Sequence, residues 1–134
     1  MSGRFLNDWT GRPRLLLAYS DAVYASECGR YFRRLGWEVQ MVASGAEARI
    51  LASDYRPNVV VLAAELLDES GWLTSAKIST ENPHVRIILV TDGETEPGPE
   101  RLEMVGAQLA VNRRGGAESL AQVVLGQNSF SEAV

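Results

Sequence analysis

RPNVVVLAAELLDESGW (residues 56–72) contains the run that decides the fold. Five apolar residues, Val59 to Ala63, follow Pro57-Asn58 without a break, and three of them are valine. A run this short and this β-branched, closed by a loop holding Glu65, Asp68, Glu69 and Gly71, predicts a strand buried on both faces. In open α/β sheets, ligands and chemistry collect at the carboxyl ends of such strands. This strand ends in Ala63-Ala64, two methyl side chains with no chemistry to offer.

The same kind of run recurs on both sides of it. Arg14–Tyr19 (RLLLAY) precedes an amphipathic stretch with apolar residues at Val23, Tyr24, Cys28, Tyr31, Phe32 and Leu35, a helical spacing that Gly36 would end. Ser20 or Asp21 would cap its start. Trp37–Val42 alternates like a strand, and SGAE at 44–47 is a capping-box signature opening a helix with Ala48, Ile50 and Leu51. After the central strand come a weaker helix from Gly71, broken near Asn82-Pro83, and a nearly all-apolar strand, Val85–Thr91. A Gly- and Pro-rich loop at 92–100 leads into a helix over Glu100–Val105, with Pro99 suited to its first turn. Ala107–Asn112 is the fifth strand, and the closing helix from Ala117 is expected to stop at Gly126.

Strand followed by helix, repeated along the chain, predicts a parallel sheet between two helical layers. The expected fold is α/β, a flavodoxin-like three-layer sandwich of five βα units with strand order 2-1-3-4-5. Residues 1–13 read as an N-terminal arm, with Phe5, Leu6 and Trp9 available to pack on the domain or on a partner. The domain itself occupies 14–126, and residues 127–134 form a frayed C-terminal tail.

Bulk properties narrow the function. The chain has 134 residues, 46% of them hydrophobic and 22% charged, which suits one globular domain. A formal net charge of −4 argues against a general nucleic-acid or anionic-membrane binder. The single cysteine, Cys28, excludes an internal disulfide and sits on an apolar helix face, so a core role is expected. The polar N-terminus does not look like a signal peptide, and no apolar run approaches the ~20 residues of a membrane span. A soluble cytoplasmic protein is expected, with no membrane contact.

With its strands in order, the chain resembles the receiver domains of two-component response regulators over roughly residues 13–126. RRLGWEVQMVASGAEA, YRPNVVVLAAELLDESGW, HVRIILVTDG and VGAQLAVNRR each resemble a receiver passage, with Gly106-Ala107 standing where that family has Gly-Ala. The resemblance implies a reaction with a plain physical requirement. An aspartate ending the third strand attacks a phosphoryl group. Together with two acidic residues ending the first strand, it holds a magnesium ion in oxygen ligands. A hydroxyl at the end of the fourth strand and a lysine at the end of the fifth bind the phosphate.

Carried over residue by residue, the acid pair falls on Tyr19 and Ser20 and the phosphoacceptor on Ala63. The hydroxyl position is Thr91, the lysine position is Arg113, and the aromatic residue that often moves with the hydroxyl is replaced by Ala110. A first strand read one residue later would put Asp21 at the second acidic position and turn its side chains to the opposite faces. The third strand has no such alternative, since Glu65 stands where the family uses a backbone carbonyl. The resemblance therefore implies a receiver scaffold without the receiver reaction, and no metal, cofactor or enzymatic activity is expected.

Other residues have plainer roles open to them. Asp21, Glu65, Asp68 and Asp92 could form a rearranged metal or ligand site, but helix caps and solvated loop charges are the expected roles. Thr91 and Arg113 could bind an anion, against a strand end and an exposed arginine. His84 has no companion ligand, RYFRRLGW follows core spacing, and RRGGAES reads as a loop and cap. The expected function is a non-phosphorylatable pseudo-receiver that signals by binding another protein. The alternative is a small-molecule or anion-binding regulatory domain using the strand-end cleft. The expected interaction face lies on the fourth and fifth helices and the strand between them, at Leu102, Val105, Leu109, Val111, Leu120 and Val124. A homodimer through that face is a further expectation.

Overall fold

The computed structural model describes residues 11–93 and 96–133, with the backbone alone for 127–133. Phe5, Leu6 and Trp9 of the arm lie outside the described residues. Five strands, β1 (Arg14–Ala18), β2 (Glu38–Val42), β3 (Val59–Ala63), β4 (Arg86–Thr91) and β5 (Leu109–Asn112), alternate with five helices. The helices are α1 (Ala22–Arg34), α2 (Gly45–Asp54), α3 (Gly71–Glu81), α4 (Pro99–Met104) and α5 (Gly116–Ala133), with a 3₁₀ turn at Arg113–Gly115 before the last. The strands form one parallel sheet in the order β2-β1-β3-β4-β5, the expected flavodoxin-like arrangement.

Alternation along the strands divides the core in two. Leu15 and Leu17, Val59 and Val61, Ile88 and Val90 face α1 and α5, where they meet Tyr24, Cys28, Phe32, Leu120 and Val124. Leu16 and Ala18, Val60 and Leu62, Ile87 and Leu89 face the other way, against Ala48, Ala52, Ile78 and Leu102 from α2, α3 and α4. All five residues of β3 are buried, as expected of a central strand covered on both faces. Burying side chains of this kind contributes about 1.5–3 kcal/mol each, which makes the sheet centre the main source of stability.

Local signals placed the helix ends. The Ser44 hydroxyl accepts from Glu47 N–H at 3.1 Å, the forward bond of a capping box, and the Glu47 carboxylate reaches one residue beyond the cap to accept from Ala43 N–H at 3.4 Å. Pro99 occupies the first turn of α4. That helix is followed, after its cap Val105, by Gly106, whose φ of +75° suits glycine and whose missing Cβ would stand 2.3 Å from Ser79 Oγ.

Three expectations need correction. Val23 and Leu35 are exposed, so α1 buries a narrower stripe of Tyr24, Cys28 and Phe32. Ile50 also faces solvent, leaving the small residues Ala48 and Ala52 to bring α2 close to the sheet. The last helix runs through Gly126 to Ala133, because one glycine costs a helix only about 1 kcal/mol. Among the described residues, no helix is long and apolar enough to cross a membrane.

Candidate functional site

Parallel strands bring the ends of β1, β3, β4 and β5 to one edge of the sheet. Register sets their level: Ala18 pairs with Leu62, so Tyr19 follows at the height of Ala63, which itself pairs with Val90. A cleft of about 200 Å³ opens there, lined by Tyr19, Ser20, Asp21, Ala63, Ala64, Glu65, Val90, Asp92 and Arg113. Its floor is the Ala63 methyl group, buried at the end of β3.

Tyr19 is built into the core margin. Its ring lies 4.6 Å from that of Tyr24, centroid to centroid. Burial pushes its hydroxyl up to about 12, with Arg113 partly opposing and Asp92 and Asp21 reinforcing the shift. The phenol therefore stays neutral at physiological pH, a poor donor for a hard cation that prefers carboxylate oxygens. Beneath it, burial raises the Cys28 thiol to about 11, which keeps it protonated and unreactive.

Asp21 and Asp68 already have work. Asp21 Oδ1 accepts from Val23 N–H at 3.0 Å as the α1 cap, and Oδ2 takes Arg113 Nη1 at 3.0 Å. Asp68 reaches across to the start of α2, where its carboxylate accepts from Gly45 N–H at 2.7 Å and Ala46 N–H at 3.0 Å. These bonds, Gly45 first, hold its carboxyl below the ordinary range. Glu69 is lowered in turn by Lys77, 2.8 Å away, and by the Thr74 hydroxyl. Glu65 and Asp92 do line the cleft, yet no group of three or more potential ligands gathers to hold a metal among the described residues.

Thr91 and Arg113 are not brought together as an anion site. Thr91 is nearly buried opposite Asn112 and does not line the cleft, while Arg113 spans the mouth toward Asp21. Sequence reasoning missed Asn112, whose Nδ2 donates to Gly93 O at 2.8 Å and whose Oδ1 accepts from Arg114 N–H at 2.8 Å. A strand ending in Asn before a turn was the available signal.

Backbone contact fixes the β3–α3 connection. Gly71 N–H donates to Ala64 O at 2.8 Å, and a Cβ on Gly71 would stand 1.8 Å from Ala63 O. Only glycine permits that approach. On the expected interaction face, Leu102, Val111, Leu120 and Val124 are buried and so unavailable for contact. They pack inward because α4 and α5 each turn one face to the sheet and β5 turns Val111 toward α5. Val105 and Leu109 are half-buried, and Met104 is the exposed apolar residue beside them.

This sheet order, with the cleft at its switch point, is shared with known signalling proteins. A CheY-like receiver domain from Methanospirillum hungatei superposes with a TM-score of 0.81 at 17% identity, covering 92% of this chain and 98% of that one. The chain has the receiver fold. A response regulator from Burkholderia pseudomallei, solved with a phosphorylated aspartic acid and a calcium ion, matches this receiver fold with a TM-score of 0.75 at 21% identity. That match covers 90% of this chain and 71% of the other. In sequence, the probable transcriptional regulatory protein TcrX of Mycobacterium tuberculosis is 34% identical over 82 residues, 60% of this chain and 35% of TcrX. The chain spans between 35% and 40% of the length of the curated relatives it matches. No model of a protein family matches it.

Proposed function

We propose that this chain is a receiver domain of the two-component type that does not accept a phosphoryl group and signals by binding another protein in the cytoplasm. The observation that carries this reading is Ala63, buried at the end of β3 with Tyr19 level beside it. On this reading, a methyl group and a neutral phenol occupy the phosphoacceptor and first acid positions of a receiver. Asp21 does not replace them, because both its oxygens are committed to the α1 cap and Arg113. Contact with the partner, or with a second copy, would use Met104, Val105 and Leu109, where apolar surface reaches solvent between α4 and β5.

A ligand in the strand-end cleft is less favoured. The cleft holds about 200 Å³, below the roughly 300–1,000 Å³ usual for small-molecule sites, and Arg113 faces a carboxylate already.

The test is incubation with acetyl phosphate and magnesium, followed by intact mass, beside a receiver known to be phosphorylated. The expected result is an adduct on the control and none on this chain. A hydroxylamine-labile adduct here would overturn the reading.

A further inference from the structure

We propose that the opposite edge of the sheet, at the amino ends of the strands, carries a binding site for a phosphorylated small molecule of mononucleotide size. Two hollows meet there, sharing Pro13, Arg56 and Asn58. The smaller, about 330 Å³, is cationic: Arg12, Arg14 and Arg56 line it, with no carboxylate among the described residues of its walls. The larger, about 840 Å³, continues over Trp37, Pro57, Pro83 and Val85 and supplies an apolar wall. Together they reach the size of ordinary ligand sites and offer what an amphiphilic anion needs, a charged pole beside a nonpolar one.

The arginines differ in how far they are committed. Arg14 is held in place, with Nη1 donating to Tyr55 O at 3.1 Å and Nε 3.5 Å from Glu38 Oε1. Arg12 and Arg56 are exposed and form no ion pair among the described residues. Glu81, the carboxylate among the described walls of the larger hollow, pairs with Arg49 at 2.7 Å, and Glu38 pairs with Arg14. Arg86, whose Nη2 donates to Val124 O at 3.3 Å, adds to the positive side of the balance along the larger hollow.

Guanidinium groups present paired donors that match phosphate oxygens, and two uncommitted ones beside a third held rigidly can grip a single phosphoryl group. The ligand is small because the chain carries a net −4, which repels an extended polyanion while one dianion still feels the local arginines. Arg56 is also the one non-glycine residue at positive φ, +56°, among the described residues. Its replacement by glycine therefore removes the charge without disturbing the backbone. This site lies at the far end of the strands from the cleft and does not depend on the signalling reading.

The experiment is isothermal titration of the full chain with AMP and GMP, with adenosine and sulfate as controls at matched ionic strength. At least one nucleotide is expected to bind about tenfold or more tightly than either control, and Arg12→Ala/Arg56→Gly to weaken it by about tenfold or more. Arg113→Gln is expected to leave the affinity unchanged. An unaltered urea midpoint for the double variant keeps its loss of binding attributable to the two charges. Binding no tighter than sulfate, binding insensitive to Arg12→Ala/Arg56→Gly, or loss with Arg113→Gln alone would each overturn the proposal.

Discussion

The two ends of the sheet contrast in what they leave unsatisfied. At the carboxyl ends, where an α/β fold usually holds its reactive groups, two of the acids are spent on structure: Asp21 on a helix cap and Arg113, Asp68 on two amides of α2. At the amino ends, Arg12 and Arg56 reach solvent without acidic partners among the described residues. Position in the fold says where a site can form, and the hydrogen-bond and ion-pair inventory says whether anything there remains to act.

The largest break in this contrast is expected at Gly71. Gly71→Ala drives a methyl into Ala63 O and should lower the unfolding free energy by about 3 kcal/mol, read as a fall in the urea midpoint. An unchanged midpoint would mean that the carboxyl-end backbone is looser than its contacts imply.

Asp68→Asn comes next and sharpens the point through pH. The folded-state carboxyl is held below its ordinary value, so its stabilisation is present above the unfolded-state pKa and fades as pH falls through the folded one. The variant should be less stable than the parent at pH 7, and the gap should close on acidification below about pH 4. A gap independent of pH would remove the ionised cap from the account.

Arg113→Gln should matter least. Its pairing with Asp21 is 42% exposed on both sides and is worth well under about 1 kcal/mol, with the difference shrinking further in high salt. A loss several times larger would mean that the latch at the cleft mouth organises more of the molecule than its exposure suggests.

Much of the fold was legible because its signals are local. The apolar run at Val59–Ala63, the Ser44 capping box and Pro99 each specify an element from within a few residues. Exposure was harder to read. Leu120 and Val124 look like candidates for a contact surface until the sheet is placed beneath α5, and Ile50 looks like core until it is found on the outer side of α2. The site divided the same way. Ala63 could be read as chemically silent from its identity alone, whereas the partners of Asp21 and Asp68 lie 92 and 23 positions away and needed three dimensions. The arginine edge escaped notice because Arg12, Arg14 and Arg56 are assembled by strand pairing and belong to no motif.

The close packing of Gly71 on Ala63 has a consequence for how such a domain can change over generations. The route of that connection is dictated by main-chain atoms on both sides, so the strand may end in various small side chains without the surrounding loop being redrawn. Shape at this corner is insulated from the identity of residue 63. A scaffold arranged in that way can shed or adopt a reaction one side chain at a time and still present the same outline to whatever recognises it.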